Sequence, residues 1–296
     1  MLKKIKPYMM PIAMTIGAVF YKFFDSLAFL TPYLIFAMLF LTYCNLKLKE
    51  IRFSKLHLWL IIIQIVGSVG VFLILRPFNI TLAQGAMICL LAPTATAAPV
   101  ITGMLKGNVA SLTAYSLISN LTVALAAPVI FSLVGSYNDL PFFESFYEIA
   151  KRVFVLLFLP FFVAILLQKI RPTLTNKLAT YKNLSFYLWS IALSVVTGRT
   201  VQFIMIQEGK NYSIEIFIAL AAMIICVAQF IVGRAVGRRH DDTVAGGQGL
   251  GQKNTILAIW MAQMYLNPIA SIGPGSYVLW QNIVNSYQVW LKRKTL

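Results

Sequence analysis

The chain is dominated by apolar stretches of about bilayer-crossing length, and this leaves it few possible folds. Ten can be drawn, at approximately 7–23, 26–44, 57–75, 80–105, 109–135, 150–168, 183–207, 213–233, 243–266 and 268–290. Most are near the roughly 20 residues that a transmembrane helix needs. Backbone in hydrocarbon must satisfy its own hydrogen bonds, so segments of this length span as helices. Only 11% of residues are charged, against about 25% in a soluble domain. The expected fold is therefore an all-α polytopic membrane protein.

The net charge of +16 does not call for a nucleic-acid partner, because the cations are placed as topology signals. With the N-terminus inside, eighteen of the 25 Lys and Arg fall at cytoplasmic ends and five on the opposite side. The remaining two, Arg199 and Lys253, lie within spans. This asymmetry supports ten spans with both termini cytoplasmic. The start, MLKKIK and an apolar run, looks like a signal peptide, but no small-x-small cleavage site follows before Tyr21. The first span is expected to be retained. The compact length and the absence of eukaryotic targeting features point to a bacterial inner membrane.

The acidic residues are all in loops or at span ends, with Glu215 just inside span eight. A carrier that binds Na⁺ or relays protons through a carboxylate needs one at mid-membrane, and none is there. Cys44, Cys89 and Cys226 have no paired spacing and read as small buried hydrophobes. His57 and His240 lack metal-ligand spacing, and GGQGLG at 246–251 fits neither phosphate-loop pattern. No nucleophile–base set appears, so an enzyme is not expected, nor is a cofactor.

Ten spans divide into two fives, and an odd number per half gives the halves opposite orientation. Span four holds APTATAAP (92–99) and its counterpart, span nine, holds AGGQGLGQKNT (245–255). Pro93 and Pro99 interrupt a helix, while Gly246, Gly247, Gly249 and Gly251 argue against a continuous one in span nine. Interruptions at corresponding positions of two halves point to a binding site in inverted-repeat carriers. Half-helix N-termini turned into such a gap attract anions, and the hydroxyls of Thr94 and Thr96 lie within it. Lys253 is the sharpest feature: an intramembrane ammonium is costly unless it faces protein or water. It either serves the site or snorkels to the interface. Arg199, in span seven, either meets an anion in a cavity or reaches the outer interface.

APTATAAPVITGMLKGNVASL, GLGQKNTILA and PGSYVLWQNI together resemble the bile acid:sodium symporter family. Span four of that family reads C-P-G-G-T-A-S-N, and here Ala92–Pro99 occupy those places, followed by Gly107-Asn108. The span-nine motif E-x-G-x-Q-N-[ST] aligns with Gly249–Thr255. The resemblance implies a 5+5 inverted repeat in which broken helices 4 and 9 cross. It also implies a core domain of about 57–135 and 213–290, and a panel domain of about 7–44 and 150–207. Family substrates are organic anions carried with Na⁺. The Na⁺ ligands of the family are replaced by Ala98, Pro99, Gly249 and Lys253, and Leu112 stands where another ligand would be, while Ser116 is retained. A hard cation needs several oxygen ligands, so Na⁺ is not expected to bind.

The expected function is secondary transport of a small organic anion by alternating access, by uniport or linked to protons through Lys253. Thr96, Asn254 and Thr255, with Thr94, would hold the substrate, Lys253 would replace the metal charge, and Arg199 is a possible anion contact. The alternatives are a ligand-binding membrane receptor or sensor, and a metalloid exporter acting through the thiol of Cys89.

Overall fold

The computed structural model describes residues 8–46, 51–135, 141–180, 182–206 and 212–294. The basic start at 1–6, the loop cations Lys47, Lys49 and Lys210, and the loop acids Glu50, Asp139 and Glu208 lie outside the described residues. The described chain is all helical, and its one isolated β-bridge pairs Thr94 with Lys253.

In chain order the helices are α1 (Met9–Val19), α2 (Tyr21–Ser26), α3 (Thr31–Cys44), α4 (Lys55–Leu75), α5 (Ile80–Leu91), α6 (Ala98–Met104) and α7 (Val109–Val134). There follow α8 (Phe142–Ile170), α9 (Pro172–Thr180), α10 (Lys182–Ile206), α11 (Ser213–Arg238), α12 (Thr243–Gly251), α13 (Thr255–Tyr265) and α14 (Ile272–Lys294). Several starts are set by short polar side chains that take up orphan N–H groups. Asn79 Oδ1 accepts from Leu82 N, and Asn108 Oδ1 from Ser111 N. Ser54 and His57 form a reciprocal cap at the head of α4.

Helices α4, α7, α8 and α11, with Leu184–Ile206 of α10, are long and apolar enough to cross a membrane. The chain is an integral membrane protein on this ground. The drawn segments 80–105 and 243–266 each appear as two shorter helices, α5 with α6 and α12 with α13. The last drawn segment, α14, is not among the strongly apolar helices, because Gln281, Asn282, Asn285, Ser286 and Gln288 interrupt its apolar residues. Residues 172–180, drawn as a connection, fold into α9.

The glycine run requires a correction. Gly246, Gly247, Gly249 and Gly251 all lie inside helix α12, and the interruption follows them at 252–254. They serve packing, not unwinding. A Cβ at Gly246 would sit 2.3 Å from the carbonyl oxygen of Gly233 in α11, so the absence of side chains lets the two backbones touch. Such close approach is how membrane helices associate where no hydrophobic force drives them together.

The chain forms two compact units, one of residues 1–46 and 154–211 and one of 47–153 and 212–296. In the first, α1 packs on α10, where Ser194 Oγ donates to Ala13 O at 2.9 Å. Gln168 of α8 donates through Nε2 to Tyr43 O (3.0 Å) and Leu46 O (3.1 Å) at the end of α3. In the second, one apolar cluster joins α4, α7 and α12 through Leu60, Leu112, Tyr115 and Leu250. Another joins α5, α11 and α14 through Cys89, Cys226, Phe230 and Tyr277.

Candidate functional site

The second unit holds two helix interruptions that face each other. Ala92 turns out of α5 at φ −46°, ψ 136°, and Pro93 has no N–H to continue the ladder. Gln252 leaves α12 at φ −100°, ψ 100°. The two extended segments run antiparallel: Ala95 N donates to Gln252 O (2.9 Å) and Asn254 N to Pro93 O (2.8 Å). Each break thus supplies a partner to the backbone that the other exposes, which an interrupted helix at membrane depth must have.

Side chains repeat this exchange from both directions. Thr94 Oγ1 donates to Gly249 O, near the end of α12, at 2.8 Å. Lys253 Nζ donates to Leu90 O, near the end of α5, also at 2.8 Å. Each target carbonyl lies four residues before the opposite donor. The backbone N–H groups match too: Thr94 N meets Ser119 Oγ of α7 at 3.2 Å, and Lys253 N meets Gln281 Oε1 of α14 at 2.9 Å.

A further shell of side chains takes up the remaining carbonyls at the breaks. Gln64 of α4 donates to Leu91 O (2.8 Å) and Ala92 O (3.0 Å), and accepts from Tyr115 Oη and Ser119 Oγ, each at 2.9 Å. On the other side Tyr277 Oη donates to Gly251 O at 2.8 Å, and Gln229 of α11 donates to Cys89 O (3.2 Å) and Tyr277 Oη (2.9 Å). Tyr115 and Ser119 on α7 correspond to Tyr277 and Gln281 on α14, with the same four-residue spacing.

Lys253 is 1% exposed, so it does not snorkel. The amine sits at the C-terminal end of α5, where the last carbonyls carry partial negative charge that suits a cation. Of the other predicted residues, Thr94 is fully buried and its hydroxyl is committed to Gly249. Asn254 caps α13, its Oδ1 accepting from Leu257 N at 3.3 Å, and Thr255 is buried in the first turn. Thr96 is half-buried at the break, and its hydroxyl bonds to no other described residue. Arg199 belongs to the first unit, on α10, with its guanidinium carbon 5.4 Å from the Phe203 ring centre. Within the second unit the structure gathers Thr94, Thr96, Lys253, Asn254 and Thr255.

Two details bear on what the site can bind. Gly249 has no room for a side chain: a Cβ would lie 2.8 Å from the Tyr115 ring. Gln252 is buried in the break, and its Oε1 has no partner among the described residues. No group of three or more His, Cys, Asp or Glu that could hold a metal occurs among the described residues. Cys89 lies on α5 itself, one residue before Leu90, in the apolar cluster with Cys226 and Phe230. A cavity of about 510 Å³ between Ser54, His57, Ser111, His240 and Asp242 is lined by none of the predicted site residues.

Sequence reasoning missed Gln64, Tyr115, Ser119, Gln229, Tyr277 and Gln281. A signal existed: YSLIS at 115–119 and YVLWQ at 277–281 put a tyrosine and a polar residue four apart in corresponding spans.

Bilayer-length helices, two further ones interrupted face to face and a buried lysine at the interruption describe a membrane transporter. The chain belongs to the SBF-like CPA transporter family, which it matches over residues 27–282. No curated protein matches it.

Proposed function

We propose that this protein is a secondary transporter of a small organic anion that works by alternating access without Na⁺. The observation that carries the reading is the buried Lys253 amine, held on Leu90 O between the two helix breaks. A fixed positive charge at that place supplies the electrostatics that a metal cation would otherwise bring. The residues present also fit Na⁺ poorly. Gly249 offers no carboxylate and has no space for one beside Tyr115, and Ala98 and Pro99 have no side-chain oxygen.

In this reading Thr96, Asn254 and Thr255 hydrogen-bond the substrate, and Gln252 Oε1 adds an unfilled acceptor. Thr94, its hydroxyl already used, shapes the site more than it binds. Arg199 remains a candidate anion contact. The reciprocal reach of Thr94 and Lys253 across the breaks, with Ser119 and Gln281 each holding one of their N–H groups and Tyr115 and Tyr277 four residues before these, supports ten spans in a 5+5 inverted repeat. The panel and core assignment, both termini in the cytoplasm and the bacterial inner membrane belong to the same proposal.

Uptake of labelled carboxylates, sulfates and sterol conjugates into proteoliposomes, in Na⁺ and in choline media, tests it. Transport of one of these classes at equal rates in both media is expected. Strong Na⁺ stimulation would overturn the coupling, and binding without uptake or counterflow would make the protein a receptor.

A further inference from the structure

A second site lies away from the breaks, on the outer surface of the second unit. Helices α11 and α14, with the ends of α6 and α12, enclose an open groove of about 440 Å³. Its floor is apolar, including Phe230 and Val284, and its polar lining is Arg234, Lys292, Tyr287 and Gln288, with no acidic residue. Helix α11 is the most apolar of the candidate spans, and Ile231, 61% exposed, faces outward one turn before Arg234. This wall of the groove therefore meets lipid, and the cation stands where the apolar belt ends.

Arg234 is held there by the facing helix. A Cβ at Gly247 would lie 2.5 Å from Arg234 Cγ, so the arginine stem fills space that any larger residue would claim. Close by on α14, Tyr287 and Trp290 stack with ring centres 5.9 Å apart, and Lys294 Nζ lies 4.0 Å from the Trp290 ring centre. Exposed aromatics beside cations at a helix end mark a membrane–water interface. A guanidinium fork suits phosphate oxygens, and basic pockets between membrane helices take anionic lipid headgroups.

We infer that this groove binds one anionic phospholipid, its phosphate held by Arg234 and Lys292 and an acyl chain lying on the apolar floor. The site is independent of the transported substrate and of the coupling proposed above.

The full-length protein in detergent, given phosphatidylglycerol or phosphatidylcholine and examined by native mass spectrometry, provides the test. Retention of one phosphatidylglycerol is expected under conditions that strip phosphatidylcholine. Retention should weaken about fivefold for each cation neutralised in Arg234→Gln and Lys292→Gln, fall partway in Gly247→Ala, and persist in the double variant Arg234→Lys with Lys292→Arg. A diazirine-bearing phosphatidylglycerol should label peptides from α11 and α14 around Arg234 and Tyr287. Equal retention of both lipids, undiminished retention in the neutralised variants, or labelling only elsewhere would overturn the site. Displacement by millimolar glycerol 3-phosphate would show a soluble-phosphate site and overturn the lipid assignment. If the neutralised variants do not fold, the two-lipid comparison and the label map on the native chain decide alone.

Discussion

Lys253 is the residue on which the chemistry turns. Leaving an ammonium unsolvated at membrane depth costs several kcal/mol, and a charge-assisted bond to Leu90 O offsets about 1.5–3 kcal/mol of that. The amine is thus stabilised by structure it would lose if the break closed. If Lys253 carries the proton in coupled transport, Lys253→Gln should flatten the pH dependence of uptake. A profile identical to that of the native protein excludes it as the proton carrier. Gly249 gives a second test at this scale. Gly249→Ala places a Cβ 2.8 Å from the Tyr115 ring, and overpacking of this kind costs about 1–3 kcal/mol. Thermal unfolding in detergent should show a lower midpoint, partly restored by Tyr115→Leu in the same chain. The lysine was legible in the sequence because a charge in an apolar span stands out. Its partner was not: Leu90 lies 163 residues away, and a backbone carbonyl has no sequence signature.

Among elements, the interrupted pairs α5–α6 and α12–α13 depend on neighbours that were read from sequence as ordinary spans. Gln64 of α4 makes four bonds around the break, so Gln64→Leu should destabilise more than any single hydroxyl deletion in the site. Tyr277→Phe removes one donor from Gly251 O and one acceptor from Gln229. Interhelical bonds of this type contribute about 0.6 kcal/mol on average in membrane proteins, with a maximum near 1.7, and the loss should fall in that range. Unfolding of the two variants under one detergent condition checks the ranking, and Gln64→Leu proving the milder would contradict it. The position of the break in span nine was mistaken because glycine was weighed by helix propensity alone. In tight contact with α11, Gly246, Gly247 and Gly251 are what allow α12 to stay helical beside it.

At the scale of the molecule, helix type and the approximate bounds of most long segments were legible, since hydrocarbon length and backbone satisfaction leave little freedom. The short helix α9 was not, because Pro172–Thr180 has too little apolar length to register as a span. Orientation is testable at this level: proteases, or thiol reagents acting on a cysteine introduced at either end, should reach neither terminus when added outside sealed cells, and modification of either end from outside would reverse the proposed topology. The reciprocal bonding of the breaks has a mechanical consequence. Sliding one broken helix against the other would strand amides and carbonyls of both in a medium that offers them nothing. The crossing must travel as a single block, and whatever bends during a transport cycle bends at some other joint.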